Sequence, residues 1–149
     1  MGTITLPSFG TVYVDTNALI YRIERIEPYL SASQPLWDAL RAHTIEVYTS
    51  ELTALEVSVK PLRDKDNALY DLYQRILYQV QGFETIAISS TILQRAAQVR
   101  ADVGLKTPDA IHAATALEMG CALFVTNDSA FRRVPGLNVA VLNEVIASS

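Results

Sequence analysis

Short apolar runs separated by helix-length patterns restrict the fold of this chain more than any other feature. Thr11–Val14 is β-branched and aromatic and reads as a strand ending at Asp15. Thr16 is placed to cap a helix containing Leu19, Ile20 and Ile23, which Pro28 closes. Ser31 or Ser33, with Pro35, opens a helix carrying Leu36, Trp37 and Leu40. Ile45, Val47 and Thr49 then alternate with the strand period. Ser50 caps a helix from Glu51 that Lys60-Pro61 ends. Asp64 or Asp66 starts a helical pattern through Leu69, Leu72, Tyr73, Ile76 and Val80, stopped by Gly82. Phe83–Ile88 reads as a strand, and Ser89 or Ser90 begins a helix to Val103 with Gly104 as its stop. Thr107-Pro108 combines a capping hydroxyl with proline at the first helical position, and that helix runs to Gly120. Cys121–Thr126 and Leu137–Leu142 complete the strands.

Strands joined through helices need crossover connections, which predicts a three-layer α/β sandwich: a mostly parallel central sheet with helices on both faces. The nearly all-apolar run CALFV fits a strand covered on both sides. The 149 residues suffice for one domain with a real core, residues 1–10 forming an N-terminal extension. Half the residues are hydrophobic and 19% are charged, which excludes a disordered chain. No apolar run approaches the roughly 18 residues of a membrane span. The start, MGTITLPSFGTVYV, lacks the charged and apolar regions of a secretory signal. Cys121 is the single cysteine, so no intramolecular disulfide forms. A cytoplasmic protein is therefore expected. The net charge of −4 makes no general case for a polyanionic partner, although a bound cation would offset acid charge locally.

Four acids carry the chemistry. Asp15 and Asp128 follow strands, on the side where open α/β sheets build their sites. Glu56 shares a helical stripe with Leu52, Leu55 and Val59, so it either reaches water at the stripe's edge or needs a partner, a proton or a metal. Asp109 falls at the second helical position after Thr107, where its charge complements the helix dipole. Singly, Asp15 serves as a cap, Asp109 as a dipole partner and Asp128 as a turn residue. Jointly they suit a hard cation such as Mg²⁺, as one firmly held ion or two bridged ions. His112, among alanines, reads as a packed or hydrogen-bonded histidine rather than a base, and His43 as an exposed residue at a helix end.

The stretches VYVDTNALIY, SELTALEV, LKTPDAIHAATALEMGCALFVTND and NVAVL, in that order, resemble the PIN domain family, most closely its VapC-type toxins. The resemblance runs from Val12 to Leu142. It implies a Mg²⁺- or Mn²⁺-dependent endoribonuclease that cleaves RNA phosphodiesters by metal-activated water. Asp15, Glu56, Asp109 and Asp128 match the acidic catalytic and metal positions, with Asn17 and Thr126 as secondary polar ones. It also implies a homodimer and a small inhibitory antitoxin protein. A PIN nuclease of RNA processing without an antitoxin, or a non-catalytic metal- or RNA-binding PIN module, are the alternatives. A haloacid-dehalogenase-like phosphatase with Asp15 as nucleophile is disfavoured, because Asn17 stands where its second aspartate belongs. The aromatic 64–80 helix is read as core, or as a dimer or antitoxin contact. Lys60, Arg63, Lys65, Lys106, Arg132 and Arg133 are read as phosphate contacts or solvated surface.

Overall fold

A computed structural model describes residues 2–148. Five strands form one all-parallel sheet: β1 (Thr11–Val14), β2 (Glu46–Ser50), β3 (Phe83–Ile86), β4 (Leu123–Thr126) and β5 (Val139–Val141), in the spatial order β3-β2-β1-β4-β5. The helices are α1 (Thr16–Ile23), α2 (Tyr29–Arg41), α3 (Glu51–Arg63), α4 (Asn67–Gln79), α5 (Ser90–Val103), α6 (Thr107–Glu118) and α7 (Leu142–Ala147). The chain works outward from β1 to β3, then returns to the other side of β1 for β4. Right-handed crossovers that reverse direction put their helices on opposite faces of the sheet.

Side-chain parity follows from that arrangement. Val12, Val14, Val47, Leu123 and Val125 point to one face, in a cluster with Leu19, Leu36, Trp37, Val57, Tyr73, Leu77 and Leu142. Tyr13, Phe124, Val139 and Val141 point to the other, against Ile92, Ala96 and Val99 of α5 and Ala110, Ala113 and Ala114 of α6. Pairing Val12↔Leu123, Tyr13↔Phe124 and Val14↔Val125 keeps the two sets in register, and the Tyr13 and Phe124 rings stack at 5.0 Å. The small α6 side chains let that helix lie flat on the sheet, which buries every residue from Ala110 to Ala116.

Several boundaries depart from the sequence reading for local reasons. Asp15, not Thr16, caps α1 by accepting from Ala18 N–H. α2 begins at Tyr29, well before Ser31 or Ser33, because the Glu27 carboxylate accepts the Ser31 N–H at 2.9 Å and satisfies an otherwise orphaned donor. Pro35 lies inside α2, and Pro61 lies inside α3 with its ring buried, so neither breaks its helix. Lys106 occupies the cap position of α6 without a side-chain bond, and the Thr107 hydroxyl instead accepts from Arg100 Nη1. Asp109 is therefore the third residue of α6. Gly104 takes the left-handed conformation (φ 72°) that ends α5, as its position predicted. β3, β4 and β5 are shorter than read, and neither the 3-10 turn Ser129–Arg133 nor α7 was anticipated.

Residues 2–10 are tied to the body. Ile4 N–H donates to the Ala32 carbonyl at 2.9 Å, and its side chain, 4% exposed, joins the cluster beneath α2. Phe9 in the same segment is 80% exposed. Ile4→Ala is expected to cost about 2–5 kcal/mol, whereas Phe9→Ala changes stability by less than about 0.5 kcal/mol. Urea unfolding of the two variants checks this contrast.

Candidate active site

The reversal of strand order between β1 and β4 opens a crevice at their carboxyl ends, where parallel sheets place ligands. Asp15 leaves β1 and Asn127-Asp128 leave β4 at that point. α3 starts at the carboxyl end of β2, and α6 starts on the same side because it runs back along the sheet before β4. All four acids thus stand at one end of the molecule.

Asp15 is 7% exposed and held at both oxygens: Oδ1 accepts from Ala18 N–H at 3.1 Å and Oδ2 from the Thr126 hydroxyl at 2.5 Å. Thr126 Oγ1 in turn accepts the Asp128 N–H at 3.1 Å, so one threonine sets both the acid of β1 and the turn of β4. Asp128 caps the short 3-10 turn through Ala130 N–H and keeps its side chain in solvent. Asn17 is exposed on α1, one helical residue beyond Thr16.

Glu56 is positioned differently from the sequence reading. Of the stripe it was read to share, only Leu52 packs against a core cluster; Leu55 is 62% exposed and Val59 51%, while α3 buries Thr53, Val57 and Pro61. Glu56 sits between these faces, and its Oε1 accepts from the Thr16 hydroxyl at 2.7 Å and meets His112 Nε2 at 3.1 Å. His112 is buried, with Nδ1 2.7 Å from the Tyr13 hydroxyl, so it is the hydrogen-bonded histidine the sequence suggested. Thr49 and Thr53 extend the network at 2.7 Å from one another, and Thr49 donates to the Val14 carbonyl at 2.8 Å. Sequence reasoning passed over Thr16, Thr53 and Tyr13 as members of the site. Only one signal was available: His112 lies one turn along α6 from Asp109, on the same helix face.

The acids feel one another. Burial holds the Asp15 carboxyl above the usual carboxylate range; Thr126, Ala18 and His112 oppose the rise and the charge of Asp109 adds to it. Asp109 is raised too, by burial first and then by Asp128, with Glu56 adding to the effect and His112 and Lys106 opposing it. Glu56 is lowered, chiefly by the His112 hydrogen bond, with burial acting against it and Thr16 reinforcing it. None of Asp15, Asp109 and Asp128 forms an ion pair with Lys or Arg among the described residues. No group of three or more His, Cys, Asp or Glu side chains among them closes into one coordination shell. The donor set nevertheless fits a hydrated hard cation, which needs one or two carboxylates and keeps several waters.

Of the basic residues, Lys60, Arg63 and Arg132 pair with Glu24, Asp64 and Glu144, and Arg133 donates to the Val103 carbonyl. Lys106, at the start of α6, is the one whose charge acts on the Asp109 carboxyl.

The sequence matches the PIN domain family over residues 12–137. No curated protein sequence matches it. Among solved structures it is similar to VapBC2 from Rickettsia felis bound to a promoter DNA fragment (TM-score 0.67, 16% identity, covering 88% of this chain and 98% of that one). It is similar to a toxin–antitoxin complex from Klebsiella pneumoniae (TM-score 0.62, 27% identity, 88% and 97% covered). A third is VapC20 from Mycobacterium tuberculosis, described as a sarcin–ricin-loop-cleaving toxin (TM-score 0.66, 14% identity, 81% and 92% covered).

A buried carboxylate raised above its unfolded pKa destabilises the fold at neutral pH, and this cost fades as pH falls through the folded value. In metal-free buffer Asp15→Asn is therefore expected to melt above the wild type at pH 7. The gap should narrow as the pH is lowered, and differential scanning calorimetry across pH measures it.

Proposed function

This chain belongs to the PIN domain family, and on that footing we propose that it is a metal-dependent endoribonuclease and the toxin of a toxin–antitoxin pair. The observation that carries the reading is the set of oxygen donors at the β1–β4 crevice, mutually repelling and without a cationic side chain paired to Asp15, Asp109 or Asp128. After burial, the charge of Asp109 adds to the rise of Asp15 and those of Asp128 and Glu56 to the rise of Asp109, and a divalent cation there would relieve that repulsion. Asp15 anchors the site, its orientation fixed by Thr126 and Ala18. The charge of Asp109 on α6 acts on Asp15, and those of Asp128 at the β4 turn and Glu56 on α3 act on Asp109, which supports one shared cation site. Mg²⁺ or Mn²⁺ held there would acidify a water and stabilise charge on a phosphodiester undergoing hydrolysis. Glu56 stays ionised, and its Oε2 accepts no hydrogen bond among the described residues, so it is free to accept a proton from water. Lys106 beside Asp109 offers a contact for an RNA phosphate.

The antitoxin is supported by the toxin–antitoxin composition of the Rickettsia felis and Klebsiella pneumoniae structures. A homodimer is supported by the exposed stripe Leu55, Val59 and Leu62 on α3. Among the described residues no helix is long and apolar enough to cross a membrane.

RNA cleavage is expected with Mg²⁺ or Mn²⁺ and should cease with chelator. Asp15→Asn and Asp109→Asn should each lower the rate by about 100-fold or more, the order expected when a preorganised electrostatic group is lost. Chelator-resistant cleavage refutes the metal dependence, and a wild type inert under every metal refutes the nuclease and leaves a binding module. Sedimentation equilibrium is expected to show a dimer that Val59→Glu with Leu62→Glu converts to monomer.

A further inference from the structure

The nuclease reading leaves one buried polar chain unused. Tyr13 projects from β1 to the face opposite Asp15's neighbours Val12 and Val14, and its hydroxyl lies 2.7 Å from His112 Nδ1 in a fully enclosed setting. His112 Nε2 lies 3.1 Å from Glu56 Oε1, which also accepts from Thr16. Three elements, β1, α6 and α3, are thus tied by one line of hydrogen bonds. A carboxylate oxygen can only accept, so His112 Nε2, 3.1 Å from Glu56 Oε1, carries the ring proton and directs it at Glu56. In that neutral tautomer Nδ1 is the acceptor, and the Tyr13 hydroxyl at 2.7 Å is its donor. One oxygen of Glu56 is consumed and the other accepts no hydrogen bond among the described residues. His112 stands one turn along the same helix face as Asp109, so α6 carries both an acid and the support of a second acid.

We propose that Tyr13 and His112 are positioning residues that orient Glu56 toward the cation of this site. Tyr13 selects the histidine tautomer, the histidine fixes Glu56 Oε1, and Glu56 Oε2 is held at the crevice without a rotamer search. This rests on the metal-nuclease reading above. Network partners behind a ligand set commonly account for 10–100-fold in metal affinity.

The test is Mn²⁺ titration calorimetry on the full chain, with melting curves in metal-free buffer and cleavage rates against Mn²⁺ concentration. Tyr13→Phe keeps the ring stacked on Phe124 and is expected to weaken Mn²⁺ binding on the order of 10-fold. The metal concentration for half-maximal cleavage should rise in step, with the rate at saturating metal changed less. His112→Ala should weaken binding further, and His112→Gln should recover part of it because a carboxamide N–H still donates to Glu56. If Tyr13→Phe melts lower but binds Mn²⁺ with wild-type affinity, the network is structural only and the proposal is overturned; should His112→Ala fail to fold, Tyr13→Phe decides. A wild type that binds no Mn²⁺ overturns the nuclease reading itself, and this proposal with it.

Discussion

The pairing of β1 with β4 is the constraint on which the rest depends. It is a contact between segments more than a hundred residues apart, and it alone brings Asp15 beside Thr126. The parallel register sets Val14 opposite Val125, so Asp15 just beyond β1 and Thr126 at the end of β4 arrive at the same edge of the sheet. Once there, the Thr126 hydroxyl bonds the Asp15 carboxylate and its oxygen receives the Asp128 N–H. The same register turns Tyr13 and Phe124 to the opposite face, where α5 and α6 pack. Fold and site therefore share one alignment, and a shift by one residue would send the apolar side chains to the wrong layers.

Burying Asp15 is unfavourable in itself, and the structure offsets only part of that cost with two hydrogen bonds. The mutual repulsion of Asp15, Asp109 and Asp128 remains. Such an arrangement gives up stability for charge density, the usual condition of a site built to receive a cation. Glu56 is different: a histidine and a threonine stabilise its ionised form, whereas burial holds Asp15 and Asp109 toward the protonated form.

Much of this was legible in the sequence because it depended on short-range pattern. Each strand was located by its apolar run, Ser50, Asp66 and Ser89 cap helices as their positions suggested, and the all-parallel sheet follows from the alternation of elements. Cap side chains failed as signals where a neighbour did the work: Asp15 instead of Thr16, Glu27 for the start of α2, and no side chain at all for α6. Prolines misled because Pro35 and Pro61 sit inside helices whose other bonds survive. Glu56 was singled out for an apolar stripe of which Leu55 and Val59 prove to be exposed; its real partners, Thr16 and His112, lie forty and fifty-six residues away. Periodicity reports which residues share a helix face but not which face meets the sheet. Contacts such as Tyr13 with His112 leave no mark on either local segment.

The separation of the acids along the chain also sets when the site can exist. Asp15 emerges first, and its hydroxyl partner at Thr126 follows 111 residues later. Until β4 has left the ribosome and slotted beside β1, the crevice has only one wall. A growing chain therefore leaves its own translation machinery with the acids still apart, and Asp15 and Thr126 meet only once β4 has been made.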